Sequence, residues 1–136
     1  METKVKVGDV MSREFVSIRS GSKLKEAVGK MLGKGVGSLI LKDGGELKGL
    51  LKEKDVLFVL GEGEIEDLEK VRASDIASKK VATIKPSADI REALKKMSKE
   101  KTRWLPVVKD EDVVGYLTLS DIVKVEPSIL ELYYSK

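Results

Sequence analysis

The sequence predicts an α+β fold in which a β-α-β-β-α unit occurs twice in tandem, and three observations carry that expectation. The first is duplication: sliding the chain against itself aligns Asp9 with Asp75, Glu26 with Glu92, Met31 with Met97, Gly49 with Gly115 and Asp55 with Asp121, all at one offset of 66 residues. That register holds from residue 9 to residue 58 without a gap and also matches Ser12/Ser78, Ile18/Ile84, Ala27/Ala93, Leu39/Leu105 and Leu51/Leu117, which chance does not produce. The second is an apolar stripe at helical spacing in each copy, and the third is a pair of short apolar segments joined by a short polar connector.

Each copy opens with a short extended piece, Phe15-Val16-Ser17-Ile18 or Val81-Ala82-Thr83-Ile84, followed by turn residues. A helix is expected from Ser22 in copy one and from Ser87-Ala88-Asp89 in copy two, where side-chain oxygens can cap free N–H groups and Glu26 or Glu92 falls in the early turns. Leu24, Ala27, Val28, Met31 and Leu32, and in copy two Ile90, Ala93, Leu94 and Met97, recur at i, i+3, i+4 and i+7 and line one helical face. Two strands follow, 38–42 with 47–51 in copy one and 104–108 with 113–117 in copy two. Their connectors Asp43-Gly44-Gly45-Glu46 and Lys109-Asp110-Glu111-Asp112 suit tight hairpin turns. A last helix carries Val56, Leu57, Val59 and Leu60, or Ile122, Val123 and Val125. The repeats divide the chain into 1–61, an acidic, glycine-containing linker at 62–72, and 73–136, which ends in a helical tail.

Composition narrows the chemistry. With 41% hydrophobic and 36% charged residues the chain reads as a folded soluble domain, and its longest apolar run, Val56–Leu60, falls far short of the roughly 18 residues needed to span a bilayer. The start of the chain has no apolar signal core, so a cytoplasmic location is expected. Cysteine is absent, which removes disulfides, thiolate nucleophiles and cysteine metal sites; histidine is absent too, and with it the commonest metal ligand and general base. Abundant Lys and Glu without Cys is a bias also seen in proteins of hot environments. The formal charge of +3 is mild, and basic residues are scattered among acids.

The string Gly115-Tyr116-Leu117-Thr118-Leu119-Ser120-Asp121, a Gly-hydrophobic-hydrophobic-Thr-x-x-Asp signature leading into the last helix of a duplicated β-α-β-β-α unit, resembles the CBS domain family, named after cystathionine beta-synthase. Asp9-Val10-Met11-Ser12, Val107-Val108 after Trp104-Leu105-Pro106, and Gly49 through Asp55 are similar to the family as well, and the resemblance covers residues 7 to 125. It implies a stand-alone pair of CBS units packed about a pseudo-two-fold axis, with an adenosyl ligand (ATP, ADP or AMP, S-adenosylmethionine also admitted) in the cleft between repeats and no metal. By position it implies that Asp121 holds the ribose hydroxyls and Thr118 a phosphate, with adenine between apolar residues of the first strand and the hairpin.

Elementary chemistry agrees with these roles. An ionised carboxylate is acceptor-only and takes both protons of a vicinal diol; Thr118 and Ser120 stand near a helix start whose hydroxyls and free N–H groups suit an anion. Within the cleft that the resemblance implies, Arg103 is expected to add a bidentate phosphate contact, and Thr83, Ile84 and Pro106 to line the base pocket. Copy one departs from the signature: Lys52 stands where Thr118 does, so only Asp55, with Lys52 as a point charge, remains for a second site. Against these readings stand blander ones, in which Asp55, Asp121 and Thr118 merely cap helices, Trp104 is core and Gly33, Gly35 and Gly37 form a helix end and turn.

The expected function is that of a non-enzymatic regulatory module that signals to a protein effector in trans, forming a homodimer through exposed helix faces or using the tail from Glu126 to Tyr134. The alternative is nucleic-acid binding by basic helix faces, with Lys23, Lys25, Lys30 and Lys34 along one helix. A hydrolase or transferase is the weakest reading, for want of His, Cys and a recognised carboxylate pair.

Overall fold

A computed structural model describes residues 3–64, 66–129 and 131. In chain order the elements are α1 (Val7–Val10), β1 (Ser17–Ile18), α2 (Leu24–Lys34), β2 (Ser38–Asp43), β3 (Glu46–Lys52), α3 (Glu53–Glu62), α4 (Asp67–Lys70), α5 (Ala73–Ile76), α6 (Ile90–Glu100), β4 (Trp104–Lys109), β5 (Asp112–Thr118) and α7 (Leu119–Val125), followed by a 3-10 turn at Pro127–Ile129. The fold is α+β. Of the expected tail, Leu130 and residues 132–136 lie outside the described residues.

The chain forms two compact units, one continuous (Val16–Val81) and one split (Met1–Phe15 with Ala82–Lys136). In the continuous unit β1 pairs parallel with β2, and β2 antiparallel with β3. Leu24, Ala27 and Met31 of α2 are buried there against Leu39, Leu41 and Leu51 of the sheet, with Val56 of α3 and Ala73 of α5. In the split unit β4 and β5 form the hairpin, and the expected strand at Val81–Ile84 contracts to one parallel bridge, Ile84 to Val107. Ile90, Ala93, Leu94 and Met97 of α6 pack on Leu105, Val107 and Leu117, closed by Ile122 of α7 and Val7 of α1. The segment read as a linker holds α4 and packs Leu68 and Val71 onto the core of the continuous unit.

Each unit is therefore the body of one sequence copy completed by the lead-in segment of the other. In the split unit Val7 N–H donates to Ala88 O (2.8 Å), Ile90 N–H to Val5 O (3.0 Å), and Ser12 and Tyr116 exchange both of their backbone hydrogen bonds (2.9 and 2.8 Å). Adding the repeat offset gives the continuous unit: Ala73 N–H to Ser22 O (2.8 Å), Leu24 N–H to Val71 O (2.8 Å), and Leu50 with Ser78 (2.9 and 2.9 Å). These bonds satisfy N–H groups at the starts of α2 and α6 that have no partner within the helix.

They also explain the signature glycine. A Cβ on Gly115 would stand 2.8 Å from Ser12 O and 2.6 Å from Met11 Sδ, and one on Gly49 would stand 2.9 Å from Ser78 O. Only a strand residue without a side chain admits the lead-in backbone this closely.

The two copies start their first helices differently. Ser22, expected to cap α2, lies one residue too early; the N-cap is Lys23, which supplies no side-chain bond. In copy two Asp89 is the N-cap and is the buried charged residue among the described ones. Its carboxylate accepts from Arg91 N–H (2.8 Å), Lys4 N–H (2.9 Å), Thr3 N–H (3.0 Å) and Thr3 Oγ1 (3.0 Å), which ties residues 3–4 to the start of α6. Burial by itself would raise the carboxyl's pKa, but the bonds from Arg91, Thr3 and Lys4 together outweigh it and hold the group below its ordinary value.

A carboxylate with a depressed folded-state pKa contributes stability that is complete above the unfolded pKa, about 3.9, and is lost as pH falls through the folded value. Asp89→Ala is expected to destabilise the protein by about 2–3 kcal/mol at neutral pH, and Asp89→Asn to flatten the fall in stability below pH 4, both read from urea denaturation across pH. Gly115→Ala is expected to cost about 1–3 kcal/mol and to speed amide exchange at Ser12 and Tyr116.

Candidate functional site

Strand register decides which side chains share a surface, because directly opposed residues point to the same side of a hairpin. Leu105 faces Leu117 and Val107 faces Gly115 on the core side. Trp104 faces Thr118 and Pro106 faces Tyr116 on the other side. That second surface is built around a Trp104–Tyr116 stack, ring centroids 5.3 Å apart and planes 23° from parallel. Pro106 is buried, while Trp104, Tyr116 and Thr118 are half-buried.

At the end of this surface β5 runs into α7 through a reciprocal capping box. Thr118 N–H donates to Asp121 Oδ2 (2.9 Å) and Asp121 N–H donates to Thr118 Oγ1 (3.1 Å). Leu119 N–H is taken by Arg103 O (2.7 Å). The capping reading of Asp121 and Thr118 is therefore correct locally, yet the box leaves groups over. Among the described residues Asp121 Oδ1 accepts nothing, the Thr118 hydroxyl proton is not donated, and the Ser120 hydroxyl and N–H have no partner. The arrangement presents one carboxylate acceptor beside two hydroxyl donors and a main-chain donor.

The expected site residues divide accordingly. Arg103, Thr118, Ser120 and Asp121 come together where β4 begins and β5 ends, with the Arg103 side chain exposed. Pro106 lies on the same surface two residues along β4. Ile84 does not join them: it is 5% exposed, packs in the core and bridges to Val107, a core-side residue, so only its N–H reaches Pro106 O (3.1 Å). Alternation leaves half-buried Thr83, whose carbonyl accepts Lys96 Nζ (2.5 Å), as the first-strand residue on the opposite side from Ile84. Tyr116 escaped the sequence reading, although its place two residues before Thr118 on one strand puts both on one face.

Asp55 and Lys52 belong to the continuous unit. Asp55 Oδ2 accepts Lys52 N–H (2.9 Å), half of the box seen in copy two, because a lysine side chain cannot return the bond. Concavities of about 590 and 480 Å³ lie at the turn ends of the two hairpins, lined by Arg19, Asp43 and Gly44 in one and by Lys85, Lys109 and Asp110 in the other. They are remote from Thr118, which stands six residues, roughly 20 Å of strand, from the β4–β5 turn. Among the described residues no acidic cluster suits a metal ion.

With this geometry in hand, comparison with known proteins identifies the class. A family model described as the CBS domain matches residues 7–62 and again 73–128. The chain belongs to the CBS domain family, as a tandem pair. An uncharacterized protein of Methanopyrus kandleri is 33% identical over 129 residues, which is 93% of this chain and 65% of that protein. The chain thus spans just under two thirds of that relative, and 33% of a second one from Methanocaldococcus jannaschii. Among solved structures, a Vibrio cholerae protein described as an acetoin utilization protein (AcuB) aligns with a TM-score of 0.79 at 27% identity, over 94% of both chains. The CBS domain pair of protein MJ0100, in complex with 5-methylthioadenosine and S-adenosyl-L-methionine, aligns with a TM-score of 0.74 at 25% identity, over 91% of this chain and 97% of that one.

Capping and ligand contact are separable by substitution. Asp121→Asn keeps an acceptor for Thr118 N–H and is expected to cost less than about 0.5 kcal/mol, whereas Thr118→Ala removes the cap to Asp121 N–H and is expected to cost about 1 kcal/mol; thermal denaturation of the two variants checks this.

Proposed function

We propose that this CBS pair binds an adenosyl compound (ATP, ADP or AMP, or a sulfonium or thioether nucleoside such as S-adenosylmethionine or 5-methylthioadenosine) and passes its occupancy to a protein effector without catalysing a reaction. The observation that supports this most is the spare Oδ1 of Asp121 beside the undonated hydroxyls of Thr118 and Ser120. Oδ1 accepts from a ribose hydroxyl while Oδ2 remains in the cap; the hydroxyls and Ser120 N–H donate to phosphate oxygens or to a ligand carboxylate. Arg103 adds a charged fork for a phosphorylated ligand, and Pro106 and Thr83 offer surface to the base. The complex of the MJ0100 pair with two adenosyl compounds favours the same ligand class.

A sensor role fits a chain without His or Cys, the residues that most often do general-base and nucleophilic work. Copy one, with Lys52 for Thr118 and half a capping box, is the weaker site of the two. No described helix is long and apolar enough to cross a membrane, and a cytoplasmic setting is part of this reading. Of the lysines behind the nucleic-acid alternative, Lys25 is paired with Glu69 (2.7 Å) and Lys30 Nζ donates to Ser17 O (2.6 Å).

Calorimetric titration and thermal shift with ATP, ADP, AMP, S-adenosylmethionine and 5-methylthioadenosine test the proposal. One of them is expected to stabilise the wild type by about 2.7 kcal/mol at a hundredfold excess over Kd, with the effect lost in Asp121→Ala, weakened at least about tenfold in Asp121→Asn and kept in Asp55→Ala. Absence of any shift, or an equal shift in Asp121→Ala, sinks it.

A further inference from the structure

Where β1 turns into α2 and β2 into β3, the continuous unit gathers two cations and two anions around one hollow without pairing any of them with another. The hollow measures about 590 Å³, and its charged and hydroxyl-bearing walls are Arg19, Ser20, Ser22, Glu26, Asp43 and Arg72. Among the described residues the ion pairs are Lys25–Glu69 and Lys48–Glu46, and neither joins two of these walls. Asp43 is the anchored anion: its Oδ2 accepts the Ser20 hydroxyl (2.6 Å) and its Oδ1 the Ser20 N–H (3.0 Å). Those two bonds hold the carboxyl below its ordinary pKa and keep it charged. Arg72 is the anchored cation, with one guanidinium N–H donated to Gly21 O (2.8 Å) and the other donors unused among the described residues. The Arg19 side chain donates to none of these residues, Glu26 accepts from none, and the Ser22 hydroxyl is not engaged.

We propose that this hollow binds a free α-amino acid with a polar side chain, its carboxylate on Arg72, Arg19 and the Ser22 hydroxyl and its ammonium on Asp43 and Glu26. The site is built from the continuous unit alone, shares no residue with the adenosyl reading and does not depend on it. A bare anion would meet Asp43 and Glu26 as well as the arginines, and a bare cation the reverse; an α-amino acid carries both charges on one carbon and answers both. A guanidinium takes a carboxylate as a two-bond fork, and a carboxylate has about four lone-pair sites, so Asp43 keeps room for an ammonium beyond its Ser20 bonds. The volume lies within the roughly 300–1,000 Å³ of small-molecule sites, and the absence of an apolar side chain from its walls favours a polar ligand.

The repeat supplies an internal control. At the 66-residue offset the split unit has Lys85, Pro86, Ala88, Lys109 and Lys6 for Arg19, Ser20, Ser22, Asp43 and Arg72. Its hollow of about 480 Å³ is lined by Lys85, Lys109 and Asp110 among others. Pro86 has neither N–H nor hydroxyl to hold a carboxylate, a lysine stands where that carboxylate would be, and the guanidinium forks are gone.

Calorimetric titration of the full chain without nucleotide, with L-serine, L-aspartate, L-glutamate, L-leucine and inorganic phosphate as separate titrants, tests this. One of the three polar amino acids is expected to bind, with L-leucine and phosphate at least about tenfold weaker. Its methyl ester and its N-acetyl derivative, each lacking one charge, are expected to lose at least about tenfold, and Arg72→Ala and Asp43→Asn to do the same to the parent compound. Lys85→Ala and Asp121→Ala are expected to leave its affinity unchanged. Circular dichroism checks that the variants fold; should Asp43→Asn fail, Arg19→Ala, whose side chain holds no other residue, reads the same site. Binding of none of the three, equal binding of phosphate, or affinity that survives Arg72→Ala and falls in Lys85→Ala or Asp121→Ala overturns the proposal. A failed nucleotide titration leaves it standing.

Discussion

The structure depends on a main-chain constraint: neither copy of the repeat supplies the acceptor for the first N–H of its own long helix or covers its own second hairpin strand. At the beginning of α2 and α6, N–H groups at Leu24 and Ile90 need acceptors, and the acceptors are Val71 O and Val5 O, each supplied by the lead-in of the other copy. Val7 and Ala73, the first residues of those lead-in helices, are fully buried where they land. A single copy would expose that bed and leave its helix start to water, a loss that weighs on a fold of some 60 residues. Each copy thus completes the helix start and hairpin of the other through its lead-in.

The signature takes its meaning from this constraint. Gly115 lets Ser12 O lie against the strand, Tyr116 exchanges backbone bonds with Ser12, Leu117 fills the core, and Thr118 and Asp121 close the box that starts α7. Every residue of the string but Ser120 has a structural task, and the candidate binding groups are Ser120 and what those tasks leave over. The cap fixes one oxygen of Asp121 and so aims the other, leaving the side chain little rotamer freedom.

Duplication, helix faces, hairpins and the Thr118–Asp121 pair could be read directly from the residues, because helical and hairpin patterns are local and the 66-residue offset repeats them. The partner of each lead-in could not: a buried Val7 reads the same whichever copy buries it. Ile84 was read onto the binding side because a four-residue strand gives too little alternation to tell faces apart, and the observed bridge to Val107 decides it for the core. Ser22 looked like a cap by residue type, but the backbone enters the helix one residue later, at Lys23, where the carbonyl of Val71 does the work a side chain would. Tyr116 was readable in principle from its spacing to Thr118.

The places where the repeat register breaks are as informative as the places where it holds. Asp89 against Lys23 gives copy two a buried hub that anchors residues 3–4, while copy one has none. Thr118 against Lys52 gives copy two a complete box with a hydroxyl proton to spare. Gly29, Gly33, Leu32 and Phe58 against Lys95, Lys99, Ser98 and Lys124 give copy one the apolar surface. After duplication both copies had to keep the glycine, the core leucines and the acidic caps, since each holds the other's lead-in; positions outside that exchange were free to diverge. The differences leave spare polar groups at the end of the hairpin in the split unit and exposed apolar side chains on the helices of the continuous one. Within each unit the lead-in is held by backbone bonds and not by side chains alone, so a side-chain change at an exposed surface leaves that scaffold intact.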